Sequence, residues 1–474
     1  MHHASLPPLN LDDLRVRWRE RGGYRDIFWI AGPLILSTSS LTIQQFIDRL
    51  FLSWHSEAEF AASLPASWFS FVIIGFFMGT AGYANAFVAQ YNGAGRPDRV
   101  GAAVWQAVYF SIAAGVIIIA AIPLTSRVLV WADHPPDVLA HELTYFRITC
   151  YTGGFITLSS AVSALYTGLG RTWTVLLVNV ASTLVNIVLD YAMIFGHWGF
   201  PEWGIAGAAW ATFVSAAVNS AVYLVLFLNA YNRRRYATGR RWRLEWALLK
   251  RLLRFGAPSG GQIMIDILSF AAFTLLVGRL GMTELTATNL AFQINMIAFM
   301  PMIGLGIAVT TLVGQHLGEN HPERAARATW AAFHVAFCYM GLCALLFVLI
   351  PNVFIRWFAG EAPAAEFLQV SRVAVVLLRF VAAYCLFDVM VIIFSSALKG
   401  AGDTRFVLLV HLTLAWTIMV IPTWLFIERG WGGVYWAWIF ATTFVNVAGL
   451  VMLRRFLKNH WVTMRVIETA PAPV

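Results

Sequence analysis

Four carboxylates stand inside long apolar runs of this 474-residue chain: Asp48, Asp190, Asp266 and Asp388. A carboxylate at the centre of a membrane helix costs about 2.5–3.5 kcal/mol on insertion scales, so such residues serve ions, protons or charged cargo unless they neutralise a basic neighbour or lie near an interface. Asn186 and Asp190 are four residues apart and stack on one helical face, where they offer amide and carboxylate oxygens to a cation. Tyr384 and Asp388 repeat that spacing in the second half. A hard monovalent cation takes carboxylate, carbonyl and hydroxyl oxygens, whereas a proton needs only the carboxylate. Either half could therefore hold a coupling ion.

Enzyme signatures are absent from the sequence: there is no G-x-x-x-x-G-K-[ST] loop, no H-E-x-x-H and no G-x-S-x-G, and His141-Glu142 lacks a second histidine at the required spacing. Gly93-Ala-Gly95 and Gly400-Ala-Gly402 read as helix ends rather than phosphate cradles. The chain is expected to be no enzyme and to use no cofactor beyond its coupling ion.

The elements that must position these acids are membrane helices. Of the residues, 59% are hydrophobic and 12% charged, against about 25% charged in an ordinary soluble chain. Apolar runs long enough to cross the hydrocarbon recur along the whole length. They fall near Phe28–Ser53, Ala66–Gln90, Ala102–Ile122, Tyr145–Leu169, Val175–Phe195 and Ile205–Leu228, then Leu253–Val277, Leu285–Val313, Ala328–Ile350, Val373–Leu398, Phe406–Ile427 and Val434–Leu453. The fold class is thus an all-α membrane protein of twelve spans. Cys150, Cys338, Cys343 and Cys385 all lie in these runs, without disulfide or zinc spacing, and read as packing residues.

The net charge of +9 does not point to nucleic acid. With the N-terminus inside, 25 of the 33 lysines and arginines fall in inner loops and tails, five in outer loops and three within spans. That bias predicts both termini in the cytoplasm. No cleaved signal is expected, because the first apolar run is too long for a signal-peptide core. The basic run from Arg233 to Arg254 is expected to join two halves, with topology and solvation explaining its charge without an added lipid-binding role. The organisation read from this is an arm at 1–26, an N-lobe at 27–230, a basic linker at 231–252, a C-lobe at 253–457 and a tail at 458–474, whose end from Glu468 is expected to be disordered.

The two halves are related. Val88-Ala-Gln-Tyr-Asn-Gly-Ala-Gly-Arg-Pro-Asp-Arg aligns without a gap on Val313-Gly-Gln-His-Leu-Gly-Glu-Asn-His-Pro-Glu-Arg, at an offset of 225 that also carries Pro33 to Pro258 and Trp105 to Trp330. Six spans is an even number, so both copies enter from the same side and the repeat is parallel. Pro33 and Pro258 would either bend the first helix of each half or merely occupy its first turn.

These motifs, with Asn186-Ile-Val-Leu-Asp190-Tyr-Ala-Met-Ile-Phe-Gly196 and Ser396-Ala-Leu-Lys-Gly-Ala-Gly-Asp-Thr404, resemble the multidrug and toxic compound extrusion family of the multidrug/oligosaccharidyl-lipid/polysaccharide exporter superfamily. The resemblance covers nearly the whole chain. It implies two V-arranged six-helix lobes, a central cavity, a bacterial inner-membrane location and export of organic cations or drugs against sodium or protons. It also implies roles: Asp48 as the first-helix acid and Asn186 with Asp190 as an N-lobe cation site, joined by Thr212. Asp266, where glutamate is usual, and Tyr384 with Asp388 match a C-lobe set found in another subgroup. Carrying both sets departs from either pattern, and Arg49 beside Asp48 is a further departure. On this reading Asp48 and Asp388 also meet the substrate, and Asp48, Asn186 and Asp190 hold the monovalent cation. Partners are small cationic or amphipathic molecules and membrane lipid, with no nucleic acid and no obligate protein partner. A lipid-linked sugar flippase of the same superfamily is the nearest competitor, but its pyrophosphate cargo favours basic residues in the spans, where the charges here are mainly acidic. A channel or membrane-bound enzyme would need a selectivity ring or a catalytic constellation, and the sequence offers neither.

Overall fold

The computed structural model describes residues 18, 20–130, 135–357 and 364–468. Arg15, Arg17 and Arg19 of the arm and the tail beyond Glu468 lie outside the described residues. Twelve helices among the described residues are long and apolar enough to cross a membrane: α1 Tyr24–His55, α2 Glu57–Gly93, α3 Pro97–Val130, α4 Pro136–Gly168, α5 Thr172–Phe195, α6 Ile205–Phe227, α7 Trp246–Gly278, α8 Met282–Gly318, α9 Pro322–Leu349, α10 Phe367–Ala401, α11 Thr404–Glu428 and α12 Val434–Leu457. Several outrun the apolar stretches that announce them. The chain becomes helical at a proline at the start of α3, α4 and α9, where the missing amide proton costs nothing, and polar first turns follow that hydropathy alone leaves out.

Two helices are irregular. A turn at Tyr83 separates Glu57–Gly82 from Ala84–Gly93 within α2. In α11 the stretch Ala415–Val420 is π-helical, a widening that frees backbone groups locally. Pro33 and Pro258 both lie in helix interiors, not first turns, so each removes a backbone hydrogen bond there.

The fold is two six-helix lobes, α1–α6 and α7–α12, related by a parallel repeat. The described residues divide slightly differently by packing, into an N-terminal unit from within Leu36–Met264, Gly314–Asn320 and 465–468, and a C-terminal unit from those before Leu36, from Ile265–Val313 and from His321–Met464. The divisions in α1 and α7 fall just beyond Pro33 and shortly beyond Pro258. In the N-terminal unit α4 is central, packing on α2, α3 and α6. Gly115 and Gly154 let α3 and α4 approach so closely that a Cβ on either would lie 3.2 Å from the other's Cα, the small-residue packing that membrane helices use in place of hydrophobic attraction. Beside it Ala66, Ile74, Ile118, Ile122, Leu129, Phe146 and Cys150 form a buried cluster. In the C-terminal unit α10 packs on α9 and α12.

The Gly-Ala-Gly motifs divide their labour. Gly95 and Gly402 have φ of +67° and +110°, the left-handed region at a helix end that favours glycine. Gly93 serves a close approach, since a Cβ there would lie 2.0 Å from the Gln315 carbonyl oxygen. Its repeat counterpart Gly318 does the same to the Gln90 carbonyl, at 2.3 Å.

Candidate ion and substrate site

In the N-terminal unit the polar residues of α5 recur at Asn179, Thr183, Asn186 and Asp190, a helical stripe that faces Ser37, Gln44 and Asp48 of α1. Asn179 donates to the Ser37 hydroxyl at 2.8 Å and its oxygen accepts from Tyr223 at 3.1 Å and from Asn219 at 3.2 Å. Thr183 donates to the Gln44 amide oxygen at 3.4 Å. The stripe ends on the acids. The carboxyls of Asp48 and Asp190 act on one another electrostatically, and two like charges held together favour a proton or a cation between them.

Asn186 sits between them. Its amide meets complementary partners when the nitrogen faces the acids, donating to Asp48 Oδ1 at 3.0 Å and Asp190 Oδ2 at 3.1 Å. The other amide atom then lies 3.5 Å from the Thr212 hydroxyl. Thr212 reaches this point because α6 packs tightly on α5: a Cβ at Gly207 would come within 2.5 Å of the Met193 carbonyl oxygen. Asn186 and Asp190 are fully buried, and Asp190 Oδ1 has no hydrogen-bond partner. A buried carboxylate oxygen without a donor is costly to keep, and it is an open ligand for a cation. Arg49 interacts electrostatically with Asp48.

The C-terminal unit brings its predicted residues together differently. Asp266 of α7 is paired with His411 of α11, Oδ1 to Nδ1 at 2.7 Å. Asp388 of α10 feels both His411 and Asp266, Tyr384 lies one turn away on the same helix, and Lys399 interacts with Asp266. His411 is 4% exposed, and the π-helical stretch of α11 begins four residues after it.

Sequence reasoning missed His411, as well as the buried acids Glu59 and Glu142. The signal for His411 was a lone histidine in an apolar run, which is usually silent; its meaning depends on α7 lying alongside. Glu59 sits at the start of α2, 2.6 Å from His55 and 3.9 Å from His141, and His55 reaches Glu202 at 3.0 Å. Adjacent to a span boundary, Glu59 reads in sequence as an ordinary first-turn acid.

The MatE family profile matches residues 33–192 and 258–425. Its two matches begin 225 residues apart, the offset at which the motifs repeat. The chain is 33% identical over 308 residues to the probable multidrug resistance protein NorM of Mesorhizobium japonicum, covering 65% of each. It is 26% identical to the multidrug resistance protein PmpM of Pseudomonas aeruginosa, over 93% of this chain and 94% of that protein. A solved structure described as the outward-facing conformation of a multidrug resistance MATE family transporter of the MOP superfamily superposes with a TM-score of 0.85 at 18% identity, covering 97% of this chain and all of that one. These relatives are transporters, and the chain is not an enzyme. Twelve spans, a duplicated six-helix unit and a profile that matches once in each half place this multi-pass membrane protein in the multidrug and toxic compound extrusion family.

Proposed function

We propose that the chain is a secondary active antiporter that exports organic cations or drugs in exchange for a sodium ion or a proton, and that the ion binds in the N-terminal unit at Asp48, Asn186 and Asp190, with Thr212 as a further ligand. The observation that carries this reading is the Asn186 amide spanning the carboxyls of half-buried Asp48 and fully buried Asp190, with Asp190 Oδ1 left without a donor. Two such groups demand either a shared proton or a cation. A proton would neutralise one carboxyl, whereas a sodium ion can take oxygens from both acids, Asn186 and Thr212. The bound ion and a cationic cargo then compete for the same negative charge. Exchange follows when ion binding weakens cargo binding, and that coupling is reciprocal at equilibrium. Asp48 and Asp388 are the acids that meet the cargo, and the relatives' names as multidrug resistance proteins support a drug-like cargo.

The deciding experiment is equilibrium binding of a fluorescent organic cation to purified protein across a range of sodium concentrations and pH, followed by transport in liposomes under an imposed gradient of each ion. A tenfold loss of cargo affinity on ion binding corresponds to about 1.4 kcal/mol. Cargo affinity indifferent to both ions would overturn the competition.

The basic-residue bias supports an orientation with both termini and the Arg233–Arg254 connection in the cytoplasm of a bacterial cell. A cysteine at Arg240→Cys should be protected from an impermeant thiol reagent in intact cells and react after permeabilisation. Labelling in intact cells would reverse the topology.

A further inference from the structure

Beyond α12 the chain makes a short 3-10 turn, His460–Thr463, in which Trp461 stacks on Phe456 at 4.9 Å. It then enters the N-terminal unit at Arg465. The Val466 amide donates to the Oε1 of the buried Gln90 at 2.9 Å, and Arg465 reaches Asn320 at 3.4 Å. These contacts deliver Glu468 into a nest of donors. Its Oε2 accepts from the Tyr91 hydroxyl at 2.7 Å and from Arg251. Its Oε1 accepts from Arg96 at 2.8 Å, and the same guanidinium reaches the Glu468 carbonyl at 3.2 Å.

The nest holds more than one carboxylate uses. Arg99 lies with Nε 3.4 Å from Oε1, yet that buried Nε donates no hydrogen bond. The rest of Arg99 is engaged by Glu245 at 2.9 Å. Arg96, Arg99 and Arg251 pair with Glu468 and Glu245, so an anion that displaces Glu468 meets a charge of about +2 left by the three arginines and Glu245. A phosphate monoester carries about −1.5 to −2 at neutral pH and presents three terminal oxygens. It would balance that charge and supply the acceptor that Arg99 Nε lacks, and arginine forks suit phosphate.

We propose that Tyr91, Arg96, Arg99 and Arg251 form a phosphate-monoester site in the N-terminal unit, and that the tail carboxylate of Glu468 is its built-in, displaceable occupant. Burial of the Glu468 carboxyl opposes its ionisation, but the Tyr91 hydroxyl, its own backbone and the Arg96 and Arg99 guanidinium groups hold it at about 2. The occupant is therefore fully ionised at neutral pH. By linkage its docking is complete above the ordinary glutamate value and is lost only as pH falls toward that low folded value. Release at physiological pH must come from competition. The basic-residue bias assigns this end of the unit to the cytoplasm, so the competing phosphate is either the headgroup of an inner-leaflet lipid or a soluble phosphate.

The test uses the purified full-length protein and two probes, dioleoyl phosphatidic acid in mixed micelles and inorganic phosphate, with phosphatidylcholine as the neutral control. Glu468→Gln should bind phosphatidic acid at least about tenfold more tightly than wild type, because a tethered competitor acts at an effective concentration in the millimolar range. A chain ended after Ile467 should behave alike, which guards against a local effect of the glutamine. Adding Arg96→Gln and Arg251→Gln should remove the gain. Displacement of the lipid by inorganic phosphate identifies a site for the phosphate group alone, and lipid binding that inorganic phosphate leaves untouched identifies a headgroup site. Equal binding by wild type and both tail variants, or a gain that survives loss of the two arginines, would overturn the proposal.

Discussion

The two halves of the molecule share one repeat, yet their in-span acids are furnished in opposite ways. In the N-terminal unit Asp48 and Asp190 face each other across an uncharged amide, and one carboxylate oxygen has no donor. In the C-terminal unit Asp266 already has a hydrogen-bond partner in His411 at 2.7 Å, with Lys399 acting on it as well. Arg49 acts on Asp48, but a carboxylate hydrogen-bonded to its own side-chain partner has less need of an external cation than one such as Asp190, whose buried oxygen has none. The number of acids in a lobe therefore says less about ion binding than what has been placed beside them.

The largest effect expected from this contrast is at the N-terminal pair. Asp190→Asn and Asp48→Asn should each abolish efflux while leaving membrane insertion intact, because removing an intramembrane charge eases insertion. Asp190→Asn should also abolish the antagonism between ion and cargo in equilibrium binding. Antagonism unchanged in that variant would move the ion site out of the N-terminal unit.

Asp388→Asn should abolish efflux as well, but through cargo binding, so the residual response to sodium and pH should survive. Drug resistance at the wild-type level, in cells expressing the variant normally, would remove Asp388 from transport.

A smaller effect is expected on breaking the internal pairing of the second site. His411→Gln keeps a hydrogen-bond donor but removes the imidazole ring, so efflux should fall by about three- to tenfold, in line with about 1 kcal/mol for one partner of a hydrogen-bonded pair. The comparison predicts a new ion sensitivity in a His411→Gln, Asp190→Asn double variant, read as sodium- or pH-dependent cargo affinity that Asp190→Asn alone lacks. No return of sensitivity would mean that His411 is not what keeps the second site from recruiting ions.

Least of all, Thr212→Val should weaken ion binding by about two- to tenfold without ending transport, because it deletes one of several neutral ligands, worth roughly 0.5–1.5 kcal/mol. Complete loss of coupling would make Thr212 a primary ligand, and no change would exclude it.

The repeat, the twelve spans and the four in-span acids were legible because each rests on local chemistry: apolar runs of membrane length, a fixed offset, and charges too costly to bury idly. The stacking of Asn186 on Asp190 was legible for the same reason, since four residues is one helical turn. That Asp48 would meet Asp190 followed only from the family resemblance, because α1 and α5 are far apart in sequence. His411 escaped altogether, since a lone histidine acquires significance only when α7 supplies Asp266. The π-helical stretch of α11 escaped too, its residues being as apolar as their neighbours. Nor did the interior placement of Pro33 show in hydropathy, because the first turn of α1 carries the charged residues Arg25 and Asp26.

The reciprocal fit of the two glycine motifs bears on how such a chain could arise. Gly93 closes on the carbonyl of Gln315 while Gly318 closes on that of Gln90, and the four residues exchange places under the 225-residue offset. A contact of this form is isologous: it is what a single patch makes when it meets a second copy of itself. Before the two copies were fused into one gene, a lone six-helix protein carrying that patch would already have been able to pair as a homodimer. Duplication then freed each copy to change its own buried charges, and the divergence between the Asp190 and His411 sites is the kind of asymmetry that a symmetric pair, encoded once, could not have held.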